Sequence, residues 1–170
     1  KVRNVGKATL QGVETEFEIA ASDRMRFTGG AGYTDARYDS VPASVVAVTV
    51  DSELPNAPKW TGMLGVAADA WRGGFGTLSL NADWSYKGEH FKDAVNSPQL
   101  KQSGYGLVNA SVTLQPADGR WTLSVGGTNL TDKTYLTSGY QDLANVGAAT
   151  GAFGRPREWY LRGSVGLGER

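Results

Sequence analysis

The sequence predicts an all-β chain: an antiparallel up-and-down meander of about seven strands, forming part of a transmembrane β-barrel. Three observations predict it. Apolar and polar residues alternate with a period of two, connections alternate short and long, and apolar-face aromatics gather toward the long-connection end. A period of two sends alternate side chains to opposite faces of a sheet. No stretch keeps a helical period. No apolar run of about 18 residues occurs, so no helix is expected to span a membrane.

The first strand covers 10–20, with Val13, Thr15, Phe17 and Ile19 on one face and Glu14, Glu16 and Glu18 on the other. A turn at 21–23 leads into 24–38, whose apolar face carries Met25, Phe27, Gly29, Ala31 and Tyr33. Centring that turn on Ser22 pairs Phe17 with Phe27, Ile19 with Met25 and Glu18 with Arg26, so apolar and charged partners agree on one register. A long connection, 39–58, follows; within it 45–50 has the composition of a short strand extension. The third strand, 60–70, shows Leu64, Val66 and Ala68. The fourth, 75–87, shows Leu78, Leu80, Ala82, Trp84 and Tyr86 opposite Thr77, Ser79, Asn81, Asp83 and Ser85. Centred on Gly73, their turn sets Val66 against Leu80 and lays Trp84 over Gly62, an aromatic covering a cross-strand glycine.

After a second long polar connection, 88–103, comes the clearest hairpin, 104–127. Val108, Ala110, Val112 and Leu114 alternate with Asn109, Ser111, Thr113 and Gln115. Beyond the turn at Pro116-Ala117-Asp118-Gly119, Trp121, Leu123 and Val125 alternate with Thr122, Ser124 and Gly126. Asp-Gly is a tight-turn signal. Apolar faces in register then place Leu114 opposite Trp121, Val112 opposite Leu123 and Ala110 opposite Val125. A third long connection, 128–155, precedes the last strand, 157–167, with Trp159, Leu161, Val165 and Leu167 on its apolar face.

Composition narrows the functional classes. The 170 residues, with net charge zero, no cysteine and one histidine, are expected to form one domain, 1–170. No basic cluster suits nucleic acid, and no disulfide framework or thiolate metal site is possible. The opening Lys1-Val2-Arg3-Asn4 leads into no apolar segment, so no signal peptide is expected in these residues. Glycine, at 23 residues, falls within strand patterns rather than linkers.

The apolar face meets either a protein core or lipid. Alternating loop lengths put all tight turns at one end and all long loops at the other, the asymmetry of outer-membrane barrels. Tyr33, Trp60, Trp84 and Trp159 fall on the apolar faces toward the long-loop end, and the first three, whose hairpins have tight turns, lie about ten residues or a little more from them, roughly the reach of a tilted bilayer-spanning strand. Amphipathic rings prefer the headgroup level. Lipid is therefore the expected solvent.

No constellation points to catalysis, a cofactor or a metal. His90, near Asp93 and Ser97, falls in the second long connection, where a solvated loop is expected rather than a nucleophile set. Glu14, Glu16 and Glu18 face Arg24 and Arg26 as expected ion pairs of the wet side. Asp35, Asp39 and Asp51 lack calcium-loop spacing. Gly29-Gly30-Ala31-Gly32 lies inside a strand, so it is no phosphate loop. Asn109-Ala110-Ser111 and Asn129-Leu130-Thr131 match a glycosylation pattern by chance.

Several pieces, in order, resemble the C-terminal part of the TonB-dependent outer-membrane receptors. They are Asn4-Val5-Gly6-Lys7-Ala8 leading to Gln11-Gly12-Val13-Glu14, then Leu54-Pro55-Asn56-Ala57-Pro58-Lys59. Asn129-Leu130-Thr131-Asp132-Lys133 with Tyr135 follows, then Phe153-Gly154-Arg155-Pro156-Arg157. The resemblance covers essentially the whole chain. It implies a barrel of about 22 strands with a plugged lumen, of which seven strands are roughly the final third. The plug, and the segment that engages the TonB energy-coupling protein, would lie outside these residues. One departure is Leu167 where family members commonly end on an aromatic.

The implied function is uptake of a scarce nutrient, of the ferric siderophore, cobalamin or oligosaccharide class, across the outer membrane of a Gram-negative bacterium. The implied partners are the remainder of the barrel and its plug, TonB, the lipid bilayer and the transported ligand. The alternative is a small soluble β-barrel ligand-binding module, with the apolar rows turned inward. An outer-membrane enzyme would need a triad that His90 barely permits.

Overall fold

The computed structural model describes residues 6–166. Asn4, Val5 and Leu167 lie outside them. Seven strands form one antiparallel sheet in the order β1 (Lys7–Ser22), β2 (Met25–Ser40), β3 (Trp60–Gly73), β4 (Gly76–Lys87), β7 (Tyr105–Pro116), β8 (Trp121–Thr128) and β11 (Glu158–Val165). The missing numbers are short strands of the long connections: β5 (His90–Phe91) with β6 (Lys101–Gln102), and β9 (Leu136–Asp142) with β10 (Ala148–Phe153). The seven-strand meander is thus as the alternation predicts. Residues 45–50, expected as a strand extension, are turns and bends instead; Val48 is buried, and only Glu53 bridges to β2, at Arg37.

Every hairpin corrects the expected register by two residues in the same direction. Phe17 faces Gly29, Ile19 faces Phe27 and Glu18 faces Thr28. Val66 faces Ala82, and Gly62 faces Tyr86 rather than Trp84. Leu114 faces Leu123, Val112 faces Val125 and Ala110 faces Gly127. The physical reason is that alternation fixes register only to within an even number: a slip of two leaves every side chain on its face. Turns and bulges choose among the even registers. The first hairpin takes a bulge between Ala20 and Ser22, and the second one between Asp69 and Trp71. The third turns at Pro116–Gly119 as expected, with Gly119 at φ 63° and its N–H donating to the Pro116 carbonyl at 2.9 Å. Arg120 then lengthens the loop, its N–H donating to Asp118 Oδ1 at 3.0 Å.

Two expected contacts survive the slip as diagonals. Arg26 reaches Glu18 at 2.9 Å, and the Trp84 ring comes within 3.9 Å of where a Cβ on Gly62 would sit. The aromatic-over-glycine device appears most fully at Phe17, whose ring lies 2.3 Å from where a Cβ on Gly29 would project.

The sheet has no apolar interior. Leu64, Leu80, Val112 and Leu123 are 53%, 41%, 41% and 42% exposed, so the small closed barrel with inward-facing leucines does not form. Rings border this apolar band. At the long-loop end Tyr33 and Trp60 meet at 4.9 Å between centroids, and Trp84 stacks on Tyr86 at 6.0 Å. Past Tyr33 the same face turns polar, with Gln11 bonded to Asp35 and Thr9 to Asp39. At the other end lies Trp71, paired with Leu78 and so on the apolar face. Its place comes from the bulge, since strict alternation would send it to the polar side with Asp69. Trp60 and Trp71 are separated by roughly ten pleat steps of about 3.3 Å. With a strand tilt of about 40°, that spans a band about 25 Å tall, the height of a barrel's lipid zone.

Candidate functional site

The three long connections share one end of the sheet and are built rather than loose. In the second, β5 pairs with β6 across a 3-10 turn, Pro98–Leu100, and Leu100 is buried. His90, expected in a solvated loop, is only 1% exposed. Its Nδ1 lies 2.8 Å from the Gly88 carbonyl, which can only accept, so Nδ1 carries the proton. Nε2 is then the acceptor facing Lys92 Nζ at 2.9 Å, and Lys92 also donates to Asn56 Oδ1 at 3.2 Å. Burial pushes both His90 and Lys92 below their ordinary ranges. Asp93 and Ser97 do not join His90. Ser97 donates its hydroxyl to Asp93 Oδ2 at 2.5 Å and its N–H to Oδ1 at 3.0 Å, closing a turn. These three residues therefore assemble no proton relay.

The first and second connections are sewn together. Asn56, at φ 57°, donates its N–H to the Phe91 carbonyl at 2.8 Å. Asn96 accepts from the Glu53 N–H at 2.6 Å and donates back to the Glu53 carbonyl at 2.9 Å. The third connection joins through Gln102, whose Oε1 accepts from the Leu136 N–H at 2.6 Å. Tyr105 stacks on Tyr135 at 4.6 Å, and Leu100 fills the space a Cβ on Gly139 would need. Under the β9–β10 hairpin a cavity of about 560 Å³ is lined by Leu100, Leu136, Leu143 and Phe153 among others.

The root of the third connection explains the motif at 129–133. Asn129, at φ 47° and 4% exposed, takes the left-handed conformation that asparagine tolerates. Its amide donates to the carbonyls of Lys133 and Arg155, and its Oδ1 accepts from the Lys133 N–H. Entry and exit of the loop are thereby tied by one side chain. Asp132 receives the Arg157 N–H at 3.0 Å. The Tyr135 ring lies over Gly154, its Cζ 2.0 Å from where a Cβ would stand, so a side chain there would have to displace the ring.

On the polar face only Glu18 of the three glutamates has an ion-pair partner among the described residues. Glu14 and Glu16 face Gly32 and Gly30 instead of arginines. Those glycines leave a shallow groove of about 180 Å³, also lined by Thr61 and Met63. Further along, Asp69 holds Ser79 and Arg72, Asp83 receives Asn109, and Thr113 meets Ser124 at 2.8 Å. Asp35, Asp39 and Asp51 stay apart, and no metal-binding cluster forms among the described residues. The face is a hydrogen-bonding wall.

A one-layer antiparallel wall, apolar and ring-bordered on one side, polar on the other, with a loop body at one end, is the build of a β-barrel wall segment. A sequence profile described as TonB dependent receptor-like, beta-barrel matches residues 1–130. The chain belongs to this family. It is similar in structure to the ferric yersiniabactin uptake receptor FyuA from Yersinia pestis, with a TM-score of 0.82 and 22% identity over 95% of this chain and 24% of that one. BauA, the ferric preacinetobactin receptor from Acinetobacter baumannii, gives 0.73 and 22% identity over 93% and 22%. The ferripyoverdine receptor of the outer membrane of Pseudomonas aeruginosa gives 0.64 and 21% identity over 92% and 19%. The chain thus spans about a quarter of the length of such receptors, or less.

Proposed function

We propose that this chain, residues 1–170, is wall and loop structure of an energised uptake receptor in the outer membrane of a Gram-negative bacterium. Its apolar face meets lipid, its polar face lines the lumen, and the three long connections stand outside the cell. The remainder of the barrel closes on the free edges of β1 and β11, and a plug fills the lumen and answers to TonB. The cargo is a scarce nutrient of the ferric siderophore, cobalamin or oligosaccharide class; two similar receptors are named for ferric yersiniabactin and ferric preacinetobactin. The chain performs capture and passage, not chemistry.

The observation that carries this reading is the apolar band bounded by Trp60 and Trp71, with the joined loops beyond one border only. It is tested in the whole receptor that contains this segment, by excising 137–152 at the tip of the third loop. Expected is a folded, heat-modifiable barrel with uptake of its transported nutrient reduced at least tenfold. Undiminished uptake would overturn the assignment of the loops to capture. Alone, the segment is expected to transport nothing, and uptake by cells carrying only these residues would refute that.

A further inference from the structure

We infer that His90 and Lys92 form an acid-released latch holding the first long connection onto the second. The latch is one hydrogen-bond chain: Gly88 carbonyl, His90 Nδ1–H, His90 Nε2, Lys92 ammonium, Asn56 Oδ1. It has one proton arrangement. The carbonyl fixes the proton on Nδ1, and the ammonium, which can only donate, requires a bare Nε2. A second proton on the ring turns the 2.9 Å contact into donor against donor and cation against cation. Both side chains are buried, at 1% and 9% exposure, so water does not screen them.

The charged groups around His90 favour release. Lys92 and Lys87 oppose a second proton, and Glu53 on the first connection favours it. Glu89 and Lys101 neutralise each other at 2.7 Å. The His90 ring is held below its ordinary value near 6.5, by burial first. The opened state therefore binds a proton that the closed state refuses. The latch is at full strength above about 6.5 and is lost as pH falls through the lower, closed-state value. Swinging Lys92 out also removes its bond to Asn56, leaving the seam to backbone contacts and Asn96.

The test uses the whole receptor in lipid vesicles, with nitroxides on cysteines introduced at Val46 and Gln99, both exposed. Pulsed electron–electron distances are read at about pH 7.5 and about pH 4.5, on either side of the ordinary histidine range. The native receptor is expected to give one narrow distance at the higher pH and a broadened distribution at the lower. His90→Gln, an acceptor that does not titrate, and Lys92→Gln, an amide able to donate or accept, are expected to stay narrow at both. Glu53→Gln, whose seam bonds are backbone, is expected to keep the acid broadening. A native distribution that is narrow at both values overturns the latch. So does acid broadening that survives in either glutamine variant of the pair, or that disappears in Glu53→Gln. Should both pair variants already be broad at the higher pH, the native and Glu53→Gln results decide on the same terms.

Discussion

Replacing Val66 by arginine puts a guanidinium near mid-height of the apolar face, six pleat steps from Trp60 and about four from Trp71 on the same strand. Its row, Phe27–Val66–Ala82–Ala110, is uncharged. An arginine at the midplane of a barrel's lipid face costs about 2–4 kcal/mol. That lowers the folded-to-unfolded ratio by roughly 30- to 700-fold, at about 1.4 kcal/mol per decade. Ala67 is the neighbouring residue, but it pairs with Asn81 on the polar face, so Ala67→Arg is expected to cost less than about 1 kcal/mol. Height supplies a further comparison. Ala68→Arg, two positions nearer the Trp71 border, falls to between about 1 and 2 kcal/mol as the side chain snorkels to the interface. Guanidinium unfolding of the whole receptor in vesicles, followed by tryptophan fluorescence, measures all three. Equal costs at 66 and 67, or a cost that ignores height, would refute lipid as the solvent of this face.

The loop body yields shorter predictions. Gly154→Ala drives a methyl into the Tyr135 ring and should destabilise the third-loop root by about 1–3 kcal/mol, seen as faster proteolysis between 136 and 153 with the barrel intact. Asn129→Ala removes the side-chain bonds that join both ends of that loop and places alanine at φ 47°. At about 1 kcal/mol per bond, amide exchange around Lys133 and Arg155 should quicken at least tenfold. Glu18→Gln should change stability by less than about 1 kcal/mol, and less still at high salt, because both partners of the Arg26 pair are more than half exposed.

Much of the wall was legible in the sequence. Face and strand number follow from a two-residue period, so Leu80 against Asn81, or Val112 against Thr113, is readable without coordinates. Which even register is adopted is not readable, because it rests on the bulges at 20–22 and 69–71. The same cause hid Trp71, which alternation counts with Asp69 on the wet side. The loop body was hidden for a different reason. Its order comes from side-chain-to-backbone bonds at Asn96, Gln102 and Asn129 and from the Lys92–Asn56 side-chain bond, and such bonds carry no period. His90 read as solvated because it falls in a long polar connection. One available signal was Leu100, a large apolar residue in a largely polar stretch, which is buried beside β6.

A wall one sheet thick asks little of its strand residues. Each position needs only the apolar or polar character of its face and enough room for its cross-strand neighbour, so a substitution that keeps both is cheap. Stricter demands fall where the chain leaves the ladder: a left-handed asparagine, a glycine under a tyrosine, an amide bridging two carbonyls. Shape can then persist while spelling changes, as it does at 22% identity and a TM-score of 0.82. In barrels of this kind, ancestry should be sought in the punctuation between strands rather than in the strands themselves.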